Sequence, residues 1–252
     1  MKGKLLAIFL VVTLFTACAR NTAAPQTEGD SPPNPAIAAY TVESKTVSLV
    51  TQADIIKLLI PQLSSKGDTD FTNVNQMIYE EAVSYLAQFD KGDLSLSNES
   101  EKMDWKNAAY EDFALSGEYE IKYSDDAMLS VVFVGLWNVK SAPHPNNFSF
   151  SINIDLQTAQ RIDARTMYRF DEAFVEQFRA NEESWTLQEY PSANFISEYF
   201  GAQLADMFAV DKDTYYYFTE SKLGIILAGL PFAAGDYCPV EIPYEDMAQF
   251  KK

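Results

Sequence analysis

The clearest pattern along the chain is an alternation of side chains between Phe148 and Leu156. Every second residue is apolar, and the residues between them are polar: Ser149, Ser151, Asn153 and Asp155. A period of two predicts a β-strand with one face on a core and the other in water. The preceding run, Met128–Val139, is apolar on both faces, which predicts a central strand that is covered on both sides. We expect the two strands to form an antiparallel hairpin at the middle of a sheet.

Three segments carry apolar residues at helical spacing. The strongest follows Asn73, which is suited to cap a helix, and continues to Phe89. The others are Arg169–Arg179 and Ala193–Phe208. Further strands are predicted at Tyr40–Val50, Ile55–Ile60 (ended by Pro61), Phe113–Tyr123, Tyr215–Phe218, Leu223–Leu230 and Tyr237–Tyr244. Clustered strands without a regular βαβ rhythm predict an α+β fold, in which about three amphipathic helices pack on a largely antiparallel sheet.

The N-terminus has the pattern of an export signal. Lys2 and Lys4 precede an apolar run that ends at Phe15 and is short for a membrane span of about 30 Å. Phe15-Thr16-Ala17-Cys18 resembles a bacterial lipobox, with Phe15 in place of the usual Leu. The cysteine of a lipobox becomes the lipid-modified first residue of the mature protein. We predict a signal peptide at residues 1–17, lipidation (palmitate) at Cys18 and anchoring to a membrane of the bacterial cell envelope; ordinary secretion with an incidental cysteine is the alternative.

The chain changes character after the cysteine. Residues 18–39 contain four prolines and almost nothing to bury, which predicts a disordered tether. Residues 40–252 then form the folded module, with one core or with two closely packed lobes at about 40–125 and 126–252. Cys18 and Cys238 are the only cysteines, so we expect no internal disulfide once Cys18 carries lipid.

The charge balance bears on the partner. The chain has 36 acidic and 19 basic residues and a net charge of −17. Loss of Lys2 and Lys4 with the signal peptide lowers the net charge by two, to −19. Such a protein repels nucleic acid and anionic headgroups and favours a cationic partner. Solubility alone is the alternative explanation.

Candidate chemistry is sparse. His144 is the only histidine, and Pro143 and Pro145 restrict its loop. We interpret this segment as a turn or binding loop, because a general base needs an orienting partner that the sequence does not show. Neighbouring carboxylates offer another acid–base candidate, although a solvated face explains them better: Glu80 with Glu81, Asp125 with Asp126, Asp211 with Asp213, and Glu245 with Asp246. The spacings fit no usual zinc, calcium or phosphate motif, so we predict no metal and no cofactor.

Several segments resemble one known extracytoplasmic module. The similar segments are Ile60-Pro61-Gln62-Leu63, Val74-Asn75, Ala142-Pro143-His144-Pro145, Asn153–Thr158, Pro231–Gly235 and Val240–Tyr244. The module is shared by the lysozyme-sensing anti-sigma factor RsiV and by the N-terminal part of some peptidoglycan deacetylases. Its usual pattern has Gly-Lys after the threonine, whereas Ala159-Gln160 stands here. This turn must therefore differ or tolerate strain.

The resemblance implies a narrower function than either relative has. An anti-sigma factor needs a cytoplasmic segment before its membrane helix, and only Met1–Lys4 precede the apolar run. A deacetylase needs a metal-binding catalytic domain after the module, and the chain ends at Lys252. We therefore expect a non-enzymatic module that binds an envelope ligand, either a lysozyme-like cationic protein or peptidoglycan. The alternative is a cell-wall-active enzyme that uses His144 or a carboxylate pair as its base.

Overall fold

Two sheets form the framework of the protein, for which we have a computed structural model. The structure describes residues 40–48, 56–90, 113–139, 145–189, 195–209, 214–228 and 239–252. The larger sheet contains, in spatial order, β1 (Tyr40–Ser48), β2 (Ile56–Ser65), β3 (Phe113–Ser124), β4 (Met128–Val139), β5 (Asn146–Asp155) and β6 (Gln160–Arg161). The smaller sheet contains β7 (Thr214–Phe218), β8 (Lys222–Leu227) and β9 (Val240–Pro243).

The helices lie between and after these strands. They are α1 (Thr72–Asp90), α2 (Ala164–Met167), α3 (Glu172–Glu189), α4 (Phe195–Phe200) and α5 (Tyr244–Met247), with short 3-10 turns at Gly201–Gln203, Ala205–Phe208 and Ala248–Phe250. Among the paired strands of both sheets, β2 and β3 are parallel and the other neighbours are antiparallel. The predicted α+β fold with a largely antiparallel sheet is confirmed.

The strand β2 is longer than predicted, because Pro61 does not end it. The strand continues to Ser65, and Pro61 lies opposite Ser44 of β1. Two residues later, the backbone N–H and C=O of Leu63 point away from β1 and bond the side chain of Asn75, at 2.8 and 2.9 Å. The backbone nitrogen of Pro61 points to the same side of β2 as that of Leu63, away from β1. The missing N–H of Pro61 therefore removes no hydrogen bond to β1.

The helix α1 begins one residue before the predicted cap. Its backbone N–H at Thr72 donates to the carboxylate of Asp70 at 2.9 Å, so Asn73 lies inside the first turn. The predicted apolar stripe is confirmed, since Val74, Ile78 and Leu86 are buried. These side chains reach the larger sheet and fix α1 against it.

The two other predicted helices differ from expectation at their ends. The helix α3 starts at Glu172 rather than Arg169, because the Asp171 carboxylate accepts from the Phe174 N–H at 3.2 Å and caps it. The segment predicted as one helix up to Phe208 is broken at Gly201, whose φ of +51° is left-handed. A right-handed helix does not continue through that conformation.

The last two strands are also shorter than predicted. The strand β8 ends at Leu227, and β9 covers only Val240–Pro243, because Tyr244 already begins α5. Residues 229–238 lie outside the described residues. The predicted strand at Tyr215–Phe218 is confirmed as β7, which begins one residue earlier.

The first core lies between α1 and one face of the larger sheet. Phe133 of β4 and Phe150 of β5 stack with ring centres 4.6 Å apart. Tyr85 of α1 stacks on Phe150 from the other side, at 3.9 Å. Stacked aromatic rings of this kind contribute more than their buried area alone, so the predicted hairpin β4–β5 is the centre of this core.

The second core lies between the smaller sheet, α3 and the C-terminal turns. Phe174 makes edge-to-face contacts with Phe208 and Phe250, at 5.0 and 5.5 Å between ring centres. Val132, Tyr217 and Ile226 form a third, small buried cluster between the two sheets. The smaller sheet therefore packs on the second face of the larger one.

The second face of β5 does not face water, contrary to the prediction from its alternating pattern. Ser149, Ser151 and Asn153 are all less than 5% exposed. They lie under β7, and side chains of β5 bond the β7 backbone directly. These residues are polar although they are buried, because the β7 backbone that covers them offers hydrogen-bond partners. Their spacing is therefore the same as that of a strand with one face in water.

Candidate functional site

Most of the loop predicted as a site lies outside the described residues. Pro143 and His144 belong to that part, as do Cys18 and the segment Pro231–Gly235. Pro145 is described and is exposed immediately before β5. The roles predicted for the loop and for Cys18 therefore stay predictions.

The predicted carboxylates that the structure describes make separate contacts. Glu80 is exposed and accepts from Gln76, whereas Glu81 forms an ion pair with Arg161 at 3.2 Å. Glu245 is exposed at the start of α5. Asp211 and Asp213 lie outside the described residues. Within the part of the chain that the structure describes, no three His, Cys, Asp or Glu side chains are placed to hold a metal ion.

Asp125 has a structural task in the β3–β4 turn. One of its oxygens accepts from the backbone N–H groups of Ala127 and Met128, and the other accepts from the Tyr123 hydroxyl at 2.7 Å. Partial burial opposes ionisation, but these hydrogen bonds outweigh it and hold the pKa of Asp125 below its usual value. The carboxylate therefore has a structural role in the turn.

Glu182 is a buried carboxylate that sequence reasoning missed. It lies on α3 and accepts from the Ser197 N–H at 3.1 Å, and also from the Ile196 N–H and the Ser197 hydroxyl. These donors belong to the first turn of α4, whose N–H groups need external acceptors. Glu182 thus joins α4 to α3, and only its fully buried position distinguishes it from the other glutamates.

A buried polar network joins the two sheets. The Ser151 hydroxyl and the Asn153 amide both donate to the backbone oxygen of Tyr216, each at 2.6 Å. The Ser130 hydroxyl donates to the Asn153 amide oxygen at 2.6 Å and accepts from the Phe218 N–H at 2.9 Å. The side chains of β4 and β5 therefore meet the backbone of β7 in place of water.

A small cavity of about 10 Å³ lies beside this network. Its walls come from β5, the segment around β6 and α2, and the start of β7: Ser151, Asn153, Arg161, Ile162, Asp163, Ala164, Arg165, Thr214, Tyr215 and Tyr216. The hydroxyl of Tyr216 is buried and has no hydrogen-bond partner. Burial raises the pKa of Tyr216 well above the ordinary value for a phenol, so the group stays protonated.

One arginine side chain lies over the Tyr216 ring. The Arg165 guanidinium lies 5.5 Å from the ring centre. Its Nε also donates to both oxygens of Asp163, at 3.0 and 3.1 Å, which fixes the guanidinium in place. Arg161 lies on another wall of the cavity, and 45% of its side chain is exposed. Each guanidinium is paired with a carboxylate, Arg161 with Glu81 and Arg165 with Asp163.

A second cluster of charged side chains lies around Tyr217. The buried Tyr217 donates to Glu241 at 2.8 Å, and Lys222 pairs with the same carboxylate at 3.3 Å. Lys122 lies 5.6 Å from the Tyr217 ring centre and pairs with Glu120. Each of these lysines neutralises one carboxylate of its own chain.

None of the described helices is long and apolar enough to cross a bilayer.

No protein-family model matches the chain, and no curated protein matches it. One similar solved structure is a DUF3298 family protein from Pseudomonas aeruginosa PAO1, at 10% identity and a TM-score of 0.48 over 84% of this chain and 93% of that chain. Another is a DUF3298 member from Bacteroides fragilis NCTC 9343, at 13% identity and a TM-score of 0.47 over 84% and 92%. The likeness is coarse, and the family's function is unknown.

Proposed function

We propose that the chain is a non-enzymatic, RsiV-like lipoprotein module of the bacterial cell envelope that binds a cationic protein such as a lysozyme. The observation that carries this proposal is the charge, with 36 acidic against 19 basic residues. A field of this size steers a cationic partner toward the protein and repels anionic ones. The glycan of the cell wall is the other ligand that the sequence suggested, and it is neutral or anionic.

The distribution of ion pairs supports a negative outer surface. Each arginine in the described residues contacts a carboxylate: Arg161 with Glu81, Arg165 with Asp163, Arg169 with Asp171, and Arg179 with Glu176. Exposed carboxylates remain on several elements, including Glu43, Asp68, Glu118, Glu172, Glu198 and Glu220. Each of these pairs cancels one carboxylate, and the remaining excess of acidic over basic residues gives the chain its negative charge.

The proposed anchor is a diacylglyceryl group on Cys18. Two acyl chains hold a protein stably on a bilayer, whereas one chain is marginal. We expect the protein to incorporate labelled palmitate and to stay with membranes in high salt, and Cys18→Ser to abolish both properties. Recovery of the unmodified protein wholly in the medium would contradict the anchor without bearing on the ligand.

Binding is tested by titrating the purified chain with hen-type lysozyme at two ionic strengths. The Debye length is about 30 Å at 0.01 M salt and about 8 Å at 0.15 M, so the association rate should fall strongly between these conditions. No binding at low salt, or an association rate indifferent to salt, would reject the electrostatic proposal. Binding to insoluble peptidoglycan in the absence of lysozyme binding would favour the glycan.

A pair of variants separates charge from incidental surface change. Glu118→Gln combined with Glu220→Gln removes two exposed charges, and it should slow association several-fold at low salt and little at 0.15 M. Ser116→Ala lies on the same face of β3, two residues before Glu118, and should leave the rate unchanged. Equal rates for the two variants at low salt would show that these carboxylates take no part.

A further inference from the structure

We propose that the outer edge of β1 pairs with β1 of a second copy of this chain, antiparallel and about a two-fold axis at Ser44. The two six-stranded sheets then form one continuous sheet across the dimer. The pair is closed, since each copy uses the same edge. The inference concerns only the edge of the larger sheet, so it does not depend on the ligand of the proposed function.

Alternate residues of β1 turn their backbone groups away from the sheet. Val42 is in register with Leu63 of β2, whose N–H and C=O bond the Asn75 side chain and so point away from β1. In an antiparallel ladder, both residues of such a pair turn their backbone groups outward. The register runs without a shift from Tyr40 to Ser48, so the even-numbered residues of β1 share this orientation.

The outer edge of β1 has no strand beside it in the part of the chain that the structure describes. Within those residues, β2 is the one strand that pairs with β1, and no backbone hydrogen bond from a turn or loop reaches residues 40–48. The residues from Glu43 to Thr46 are exposed. A row of unpaired N–H and C=O groups is a template for a further strand. The edge therefore has the hydrogen-bonding groups that such a strand requires.

The charges of β1 complement those of a second β1. Glu43 and Lys45 flank Ser44, and neither forms an ion pair with another described residue. The Lys45 nitrogen lies over the Tyr79 ring instead, 5.6 Å from its centre. With the axis at Ser44, Glu43 of each copy lies opposite Lys45 of the other. This is a non-hydrogen-bonded position, where the two Cα atoms are about 4.5 Å apart and the side chains are closest.

Charge also selects this register over its neighbours. A shift of the axis by one residue toward the N-terminus places Glu43 opposite its own copy, and a shift toward the C-terminus does the same for Lys45. Opposite charges directly across a strand pair stabilise it, whereas like charges destabilise it. Lysine on an edge ordinarily discourages pairing, and here the glutamate two residues away offsets it. The axis at Ser44 thus gives two attractive pairs and no repulsive one.

The dimer is expected to be weak. A single strand pair is a small interface, and interfaces below about 1,200 Å² belong to weak or transient complexes. Two chains of net charge −17 also repel each other. At about 0.15 M salt the Debye length is about 8 Å. This salt concentration screens the long-range repulsion, while charges on adjacent strands still interact.

Crosslinking tests the position of the axis. Ser44→Cys places two thiols at a hydrogen-bonded position, where the Cα atoms are about 5.5 Å apart, within the disulfide range of about 4.4–6.8 Å. Every variant is the full chain with Cys18→Ser, so that no lipid group contributes. We expect peptide mapping to find a disulfide between the two copies of position 44. Thr41→Cys should give far less, because in this register position 41 lies about 20 Å from its own copy. Equal yields, or no disulfide at position 44, would overturn the pairing.

An exchange of charges tests the partner. Glu43→Lys and Lys45→Glu each place like charges opposite one another at both positions, so each variant alone should dimerise about tenfold more weakly than the Cys18→Ser parent. An equimolar mixture of the two should recover the parent's affinity as a heterodimer, because every opposing pair is attractive again. Sedimentation at up to about 1 mM protein measures both effects. Both residues are exposed, so both variants should keep the fold.

The matched control makes the same charge changes outside β1. Glu198→Lys and Lys251→Glu are exposed positions, and each variant should dimerise like the parent, alone and mixed. Equal weakening in these controls would assign the effect to net charge and overturn the proposed contact. A parent chain that stays monomeric over the whole concentration range would also overturn it, as would a mixture of the β1 variants that associates no better than either one alone.

Discussion

The ring of Tyr217 lies flat against the backbone of Gly224, its partner on the neighbouring strand β8. The two residues are in register, and a Cβ added at Gly224 would overlap the ring. Tyr217 is fully buried, and its hydroxyl reaches Glu241 at 2.8 Å. The aromatic side chain thus occupies the space that a side chain at position 224 would need.

Substitution of Gly224→Ala should therefore destabilise the protein. The Tyr217 ring would have to leave its position and lose its bond to Glu241, at a cost of about 3 kcal/mol, the upper part of the range for overpacked sites. Denaturant unfolding measures this cost. Gly67→Ala is the matched control, because a Cβ there meets nothing within 4 Å and should change the stability by less than about 0.5 kcal/mol. Equal midpoints for the two variants would contradict the packing argument.

The turn after β5 should become more stable with Ala159→Gly. Ala159 has φ of 53°, a left-handed conformation that costs an L-residue about 1–2 kcal/mol. Glycine removes that strain at a smaller entropic cost, so we expect a net gain of about 0.5–1 kcal/mol in the free energy of unfolding. Gly201→Ala tests the same rule in reverse, because Gly201 has φ of +51° in open space, and it should lose about 1 kcal/mol. A loss of stability in Ala159→Gly would refute the strain.

Removal of the Asn153 side chain should be more costly than removal of its neighbour's hydroxyl. Asn153→Ala deprives Ser130 of an acceptor and the Tyr216 carbonyl of a donor, and we expect a loss of about 2–3 kcal/mol. Ser151→Ala leaves the same carbonyl bound to Asn153 and should cost about 1 kcal/mol. Thermal or denaturant unfolding gives both values. The reverse order would show that the carbonyl depends chiefly on Ser151.

Asp125 should make the fold sensitive to acid. Its pKa is lowered in the folded state, from an unfolded value of about 3.9. The ionised carboxylate therefore stabilises the fold above about pH 4, and this stabilisation is lost as the pH falls through the folded-state pKa. Asp125→Asn should be less stable than the wild type at about pH 7 and should show a smaller further loss below about pH 4.

The measurement is unfolding by urea across that pH range. Asp126→Asn makes the same charge change at the exposed neighbouring position. If both variants reduced the loss of stability at acid pH equally, the acid sensitivity would come from net charge rather than from the hydrogen bonds of the turn.

The main hairpin could be predicted from the sequence, whereas the environment of its second face could not. Alternation along β5 identifies the strand and its apolar face, because both follow from the positions of side chains. The same pattern cannot distinguish water from a neighbouring backbone, since the Tyr216 carbonyl bonds Ser151 and Asn153 much as water would. Whether water or another strand covers this face of β5 depends on how the two sheets pack, and a pattern along one strand does not contain that information.

The cavity beside Tyr216 could not be predicted from local sequence patterns either. Tyr216 stands between two other tyrosines, and only the three-dimensional packing leaves its hydroxyl without a partner. Arg161, Asp163 and Arg165 are close in sequence, but their position beside β7 depends on a contact across about fifty residues. The departure at Ala159-Gln160 did carry a usable signal, because alanine replaced a glycine in the resembling pattern and the turn does hold a positive φ.

The side chain of Asn75 also protects the protein from its own copies. The parallel partner β3 pairs with β2 only as far as Leu58, so the later part of β2 needs another partner on that side. Asn75 supplies one donor and one acceptor to the Leu63 backbone, as a neighbouring strand would. An unpaired strand edge is a template for intermolecular β-pairing and aggregation. A single amide on α1 therefore occupies the backbone groups through which β2 could otherwise pair with a strand of another molecule.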